Sequence, residues 1–326
     1  MLHRSVARGH TATIDLRWRL RVPPRAIDRI GRWSGGLRLG SFYPILPWDP
    51  LRGWITDAPA RILGESSTSP TADYDVFISA PKRLRAFVSG TQVAPGHWHA
   101  HAVRDVGVAV GRFTVVNGVA HAPHRVDVQI AVAGGAQRGR EVLRLAISSL
   151  RQLSRRYGAY RWRSYTMVAT PDLFEVGIEY PTFVFLGKGG YLQLIVAHET
   201  AHQWFYSLVG NDQERDPWLD EALASWSQVQ LGGGMPQSFG STQRPRHVGA
   251  PVSYFTGRPN AYFREVYGGG VEALASLGSA ARVNCALKFY AARNAYRIAQ
   301  PRDLLAELDR FIPGADRRLR RFGIHR

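Results

Sequence analysis

His198, Glu199 and His202 fall within five positions of an otherwise apolar run, "LIVAHETAHQWFYSLVG", residues 194–210. On a helix the i, i+4 spacing stacks the two imidazoles on one face, one turn apart. Both can then reach a single zinc ion. The carboxylate of Glu199, about 100° around the axis, can touch a metal-bound water without being a ligand itself. The alternative is a core helix whose two histidines are satisfied internally, and these five residues leave both readings open. A third ligand decides, because catalytic zinc takes three protein ligands and keeps one position for water.

The helix is expected to continue to Val209 and stop at Gly210, with "NDQER" as a loop. Asp216 and Pro217 then read as the N-cap and first turn of a second helix. That helix folds back antiparallel. With roughly 10 Å of rise after His202 and roughly 6 Å from Pro217 to Glu221, the turn brings Glu221 to the histidine pair. Glu221 is the candidate third ligand; Asp220, beside it, faces elsewhere as a supporting or solvated group.

The segment "HETAHQWFYSLVGNDQERDPWLDEALASW" resembles the gluzincin aminopeptidases, the group of aminopeptidase N and leukotriene hydrolase. Their signature is H-E-x-x-H, eighteen residues, then E, and residues 203–220 are those eighteen. Trp218, Leu219, Asp220, Glu221 and Ala222 stand where the family has W-L-N/D-E-G/A. Upstream, "VGIEYP" is similar to the family's G-x-M-E-N strand, with Val176, Ile178 and Tyr180 departing from it. The resemblance implies that Glu179 holds the free α-amine of a substrate. Downstream, "NAYFREVYGGGVEAL" resembles a segment with two tyrosines five apart, which implies that Tyr267 donates its phenol to a developing oxyanion. Gly269 replaces the family's lysine there, and Tyr262 reads as a packing residue.

Taken together these expectations describe a zinc metallopeptidase, an aminopeptidase acting on peptides with a free N-terminus. One Zn2+ is held by His198, His202 and Glu221, and Glu199 is the general base. A zinc endopeptidase or an epoxide hydrolase keeps the metal and changes the substrate. A non-catalytic scaffold of the same fold is the reading from another class.

The elements that must position these residues read as an α+β fold. Residues 1–133 are expected to form an N-terminal antiparallel β-domain, a partial sandwich or saddle. Residues 134–326 are expected to form a thermolysin-like, mainly helical zinc-peptidase domain with a small sheet. Residues 12–22 alternate Ile14, Leu16, Trp18, Leu20 and Val22 with Asp15, Arg17, Arg19 and Arg21, the pattern of a half-buried strand. The alternation returns at 73–80 and 124–133. It then gives way to a helical stripe of Leu143, Ala146, Ile147, Leu150, Leu153 and Tyr157 that Gly158 ends. Strands around 164–170 and 181–187 precede the helix of the histidine pair, residues 232–251 read as a surface loop, and helical patterns dominate from Ala261. His97, His99 and His101 alternate on one strand face and span too far for one tetrahedral ion, so they read as solvated.

Lys and Arg number 42 against 25 Asp and Glu, and almost all of the cations are Arg. They are scattered, which argues for solvated faces and against a nucleic-acid partner. The final "DRRLRRFGIHR" reads as a frayed basic tail. A single cysteine, Cys285, excludes an intramolecular disulfide and a thiolate zinc cage, and its neighbours suggest a buried small hydrophobe. No apolar run reaches the roughly 18 residues of a membrane span, and residues 1–25 lack a signal-peptide core, so the chain as written reads as soluble. Relative to the family the β-domain begins late, which leaves an export signal or lipid anchor upstream, localisation and oligomeric state open. A missing first strand would leave a sheet edge exposed for association. The large C-terminal helical array of longer relatives is absent from the sequence, and a more open site is expected.

Overall fold

The structure, a computed structural model, describes residues 6–7, 9–24, 29–58, 60–62, 64–235 and 244–325. In its first part, β1 (Gly31–Trp33) and β2 (Gly36–Gly40) form a hairpin, as do the short β3 (Trp48–Asp49) and β4 (Gly53–Trp54). There follow β5 (Ala72–Phe77), β6 (Arg85–Val88), β7 (Thr91–Ala94), β8 (His97–Val103) and β9 (Gly107–Gly111). These make two antiparallel sheets, of order β1-β2-β9-β6 and β5-β8-β7.

A five-stranded mixed sheet forms the centre. β10 (Thr114–His121) and β11 (Arg125–Val132) start it; β12 (Ser164–Phe174), β13 (Gly177–Tyr180) and β14 (Phe183–Lys188) complete it in the order β10-β11-β12-β14-β13. β11, β12 and β14 are parallel, and both outer pairs are antiparallel. A parallel step needs a crossover, and helix α1 (Ala136–Tyr157) supplies it between β11 and β12. Its stripe of Val142, Ala146, Leu150, Leu153 and Tyr157 is buried with Val126, Val128 and Ile130 of β11. Gly158, at a φ of 105°, ends the helix in a conformation that a side chain would strain. Ala131, Val168 and Phe185 on the sheet's other face pack with Phe87 and Ala109 of the four-stranded sheet. The central sheet therefore draws on strands from both sides of residue 133.

The remaining helices are α2 (Leu192–Ala201), α3 (Glu221–Gln230), α4 (Pro259–Tyr262), α5 (Gly269–Ala275), α6 (Ala280–Arg293), α7 (Pro301–Phe311) and α8 (Ala315–Leu319). α2 packs on α1, on α3 and on β13, so the histidine pair faces into the molecule at the sheet's edge. The chain is mixed α and β with several antiparallel sheets. None of its described helices is long and apolar enough to cross a membrane.

Several expectations are corrected. Residues 12–22 form no strand, and Ile14, Leu16 and Trp18 are more than half exposed. Alternation creates a strand only where a neighbour takes the backbone hydrogen bonds, and no described strand pairs with this stretch. Cys285 is exposed, because α6 turns Val283, Ala286, Leu287 and Tyr290 inward and leaves position 285 on the far side. The C-terminal segment is not frayed: Leu319, Phe322 and Ile324 are buried, and Val248 N donates to the Phe322 carbonyl at 2.9 Å. Another, the length of the histidine helix, belongs to the site itself. Part of the expected surface loop, residues 236–243, lies outside the described residues. His97 and His99 both meet Asp75, at 2.7 and 3.2 Å, and His101 meets Asp73 at 2.8 Å, on a solvent-facing strand pair.

Candidate metal centre and active site

α2 ends at Ala201, one residue before His202, instead of running on to Val209. Contacts distant in sequence hold the chain beyond it away from the helical path. Tyr296 N donates to the Leu208 carbonyl at 2.6 Å, Gly210 N to Arg297 at 2.8 Å, and Ala299 N to Gly210 at 2.7 Å. Gln203 turns its amide to the backbone of β13 and its turn, with Oε1 2.8 Å from Thr182 N and Nε2 3.0 Å from the Tyr180 carbonyl. The early stop leaves the Phe205 carbonyl outside any helical ladder. It accepts from Nδ1 of His202 at 3.0 Å.

The return element also differs from expectation. Pro217 opens only a 3-10 turn, Pro217–Leu219, and Asp216 makes no side-chain cap there. Its carboxylate pairs with Arg52 at 3.2 Å. α3 begins four residues later, at Glu221, where Asp220 Oδ1 accepts from the Glu221 amide at 2.9 Å. Asp220 is buried, not solvated, and its other oxygen accepts from Gln213 Nε2 at 2.9 Å. Because Asp220 caps the helix, Glu221 is fixed in its first turn, where the macrodipole favours a carboxylate.

Three acceptor atoms converge at this point. Nε2 of His198 and Nε2 of His202 lie 3.0 Å apart, and Oε2 of Glu221 lies 3.2 Å from the first and 3.5 Å from the second. His198 Nδ1 meets Gln228 Oε1 at 3.0 Å, as His202 Nδ1 meets the Phe205 carbonyl. Both partners only accept, so each Nδ1 carries hydrogen and each Nε2 turns a lone pair inward. Two such lone pairs and a carboxylate cannot sit together unaided; a proton or a cation must lie among them. Metal–ligand bonds of about 2.0–2.1 Å give a tetrahedron edges of about 3.3–3.4 Å, close to the three separations. The donor set therefore fits zinc.

Electrostatics agree with a cation there. Burial opposes charge on His202, but Glu179, Glu221 and Glu199 outweigh it and hold the imidazole well above its ordinary range. Burial also opposes charge on Glu221, yet the two histidines hold its carboxyl well below the usual value. Burial pushes Glu199 up to about 8, with His202 pulling it back. Burial, then the charge of Glu65, raises Glu179.

The other expected residues gather around this point. Glu199 is buried, and its Oε2 has no hydrogen-bond partner. It lies directly over Gly177 of β13, where an added Cβ would come within 2.3 Å of its carboxyl group. Glu179, on the same strand, is only 5% exposed, and its carboxylate falls within 4.8 Å of ligand atoms of Glu199 and His202. Tyr267 sits on a π-helical turn, Phe263–Gly268, the kind of irregularity that recurs at functional sites. Its ring is parallel to that of His198, with centroids 5.7 Å apart. Burial, followed by the charge of Glu221, raises its phenol far above the ordinary value, so it is a donor at neutral pH. Tyr262 is fully buried in the core, and its hydroxyl has no hydrogen-bond partner.

Three residues that sequence reasoning missed belong to the same surroundings. Gln228 lies seven positions after Glu221 on α3, two turns on, and that spacing was the available signal. Arg29 and Glu65 line the cleft as an ion pair, and nothing in their local sequence marks them.

Residues 143–248 match the peptidase family M1 domain, which covers the histidine pair, Glu179 and Glu221. The chain carries a peptidase family M1 domain. The chain is 36% identical over 83 residues to aminopeptidase RNPEPL1 of Mus musculus, spanning 24% of this chain and 12% of that protein. It is 29% identical over 148 residues to aminopeptidase M1-C of Oryza sativa subsp. japonica, spanning 40% of this chain and 17% of that one. The match thus spans less than a fifth of either relative. Among solved structures, the M1 zinc metallopeptidase of Deinococcus radiodurans superposes with a TM-score of 0.64 at 18% identity, covering 94% of this chain and 73% of that one. The M1 domain and the strands before it therefore share that protein's fold.

Proposed function

We propose that this protein is a zinc-dependent aminopeptidase that removes residues from the N-terminus of peptides. One observation carries the reading: three buried acceptors, two imidazole nitrogens and a carboxylate oxygen, converge 3.0–3.5 Å apart, with two further carboxylates in the same cleft. His198, His202 and Glu221 would hold the metal. Bound there, zinc supplies Lewis acidity that acidifies water and polarises a carbonyl.

The chain's own groups complete the chemistry. Glu199, buried and with an unpartnered oxygen, takes a proton from the attacking water and returns it to the leaving amine, a role worth typically ~10² to 10⁴-fold. Tyr267, held neutral, donates its O–H to the oxygen that gains charge, where one lost donor commonly costs on the order of 10² to 10³ in rate. Glu179 binds the substrate ammonium, so cleavage is confined to the first peptide bond. The division into a β-domain, 1–133, and a catalytic domain, 134–326, is part of this proposal. In it, β10 and β11 serve as the β-domain's edge on which the catalytic sheet is built.

Purified protein is expected to hold one zinc per chain by elemental analysis and to hydrolyse alanyl-p-nitroanilide until chelator is added. Glu179→Ala is expected to raise KM for free-amine substrates while N-acetylated peptides are affected far less. Chelator-insensitive turnover, or an equal loss on both substrate types, defeats the proposal. Preferred cleavage of the blocked peptide by the unaltered protein identifies an endopeptidase instead.

A further inference from the structure

The central sheet has two outer strands: β13, which lines the cleft, and β10, at the opposite end of the strand order. On β11, Asp127 N donates to the Arg163 carbonyl at 2.9 Å and Ala133 N, just past its end, to the Ala169 carbonyl at 3.0 Å, so the odd-numbered residues bond toward β12. The even-numbered ones bond to β10, which makes Gly118 with Val128 and Ala120 with Val126 the hydrogen-bonded pairs. Val115, Asn117, Val119 and His121 therefore turn their N–H and C=O groups outward. Among the described residues nothing donates to these groups or accepts from them. Natural sheet edges are blunted by shortness, proline, a bulge or a charged side chain. β10 runs for eight residues in unbroken register, without proline, bulge, Asp, Glu, Lys or Arg.

Helix α1 overhangs this edge. Leu143 and Ile147 lie over β10, where a Cβ added at Gly118 would come within 3.1 Å of both. Turning about the helix axis away from the core, Arg140, Arg151, Arg144 and Arg155 follow Ile147 within about 80°, at about 100° per residue. All four are exposed, and a groove of about 650 Å³ runs among them beside Leu143 and Ile147. Arg140 and Arg155 stand about 22 Å apart along the axis, close to the roughly 20 Å between the first and last outward residues of β10. Arg140 with Arg144 and Arg151 with Arg155 are like-charge i, i+4 pairs, which work against the helix. Glu141 is the single acid of α1, and among the described residues no ion pair reaches any of the four arginines.

We propose that the edge of β10 and the arginine stripe of α1 together bind an extended, acidic segment of a partner protein, added to the central sheet as a further strand. Main-chain hydrogen bonds to Val115, Asn117, Val119 and His121 hold the segment in the plane of the sheet. Its alternate side chains point to the α1 face. Carboxylates there meet the guanidinium groups, and the repulsion along the stripe is relieved. A second copy of this chain suits the edge poorly: antiparallel pairing of β10 with itself sets both α1 helices on one face and brings eight arginines together across the join. The surface lies apart from the cleft and does not depend on the aminopeptidase reading.

The test titrates the protein into a fluorescein-labelled octapeptide of alternating glutamate and threonine, blocked at both ends, and reads anisotropy. Binding is expected at low salt and weakens as salt rises. The same peptide N-methylated throughout keeps its charge but offers no N–H to a sheet edge, and is expected to bind roughly tenfold more weakly or worse. Arg144→Glu combined with Arg151→Glu, on the exposed face of α1, is expected to weaken the parent peptide by roughly tenfold. Val119→Pro removes one outward N–H, leaves the pairs to β11 intact, and is expected to weaken it severalfold. Circular dichroism checks that each variant is folded. The proposal is overturned if the parent peptide does not bind at low salt, if its N-methylated form binds as tightly, or if the folded double variant binds it unchanged. Tighter binding of a twelve-nucleotide oligothymidylate or of phosphatidylglycerol vesicles, unaffected by Val119→Pro, overturns it in favour of a general polyanion surface.

Discussion

Gln228 Oε1 accepts from Nδ1 of His198 at 3.0 Å, and the amide nitrogen of the same side chain donates to the Gly234 carbonyl at 2.5 Å. The second contact fixes which end of the amide faces the histidine. Gln228 therefore selects the tautomer in which His198 Nε2 points its lone pair at His202 and Glu221. Partners of this kind typically contribute 10 to 100-fold in metal affinity. Gln228→Leu is expected to weaken zinc binding by about that factor, measured by competition with a chromogenic chelator, while the fold persists by circular dichroism. Unchanged zinc affinity would show that His198 does not depend on this contact.

Gly177 and Glu199 meet so closely that any side chain at 177 must move the carboxylate. Glu199→Gln is expected to retain zinc and lose hydrolysis by ~10² to 10⁴-fold. Gly177→Ala is expected to approach the same defect, on the order of 10²-fold in kcat, because a displacement of about 1 Å is enough to cost that much. Zinc content, read by elemental analysis, stays at the unaltered level in both. Full activity in the alanine variant refutes the claim that the strand sets the position of the base.

Asp216 offers a pH-dependent test of stability away from the metal ligands. Burial, partly offset by Arg52, raises its carboxyl from 3.8 to about 6. The folded state thus holds a proton that the unfolded chain has already released between these values, so stability falls as pH rises through the window. The contribution is present in full below the unfolded value and lost above the folded one, a change of about 3 kcal/mol at most. Relative to Asp216→Asn, the unaltered protein is expected to lose ground in urea midpoint between pH 4.5 and pH 7. A difference that is flat or grows with pH contradicts this assignment.

Much of the site was legible because it depends on local geometry. His198 and His202 share a face by the helical repeat alone; Glu221 does lie beside them, although the element lengths used to expect it there differ from those of the structure. The helical stripe of α1 and the strands around 73–80 and 124–133 were legible for the same reason, since a period of two or of 3.6 states which side is apolar. Residues 12–22 carry an equally regular period and form no strand. Periodicity names a face without naming a partner, and the partner is what makes a strand.

The sequence by itself determined which atoms could bind a metal and roughly how far apart they fall, since those properties follow from residue type and spacing along one or two helices. Tertiary structure alone decided that the chain at Leu208–Gly210 is not helical, because the backbone hydrogen bonds that hold it come from residues 296–299, about ninety positions away. It also decided that Cys285 faces solvent and that Arg29 and Glu65 meet in the cleft. Such outcomes depend on contacts between distant segments, and no local pattern encodes them.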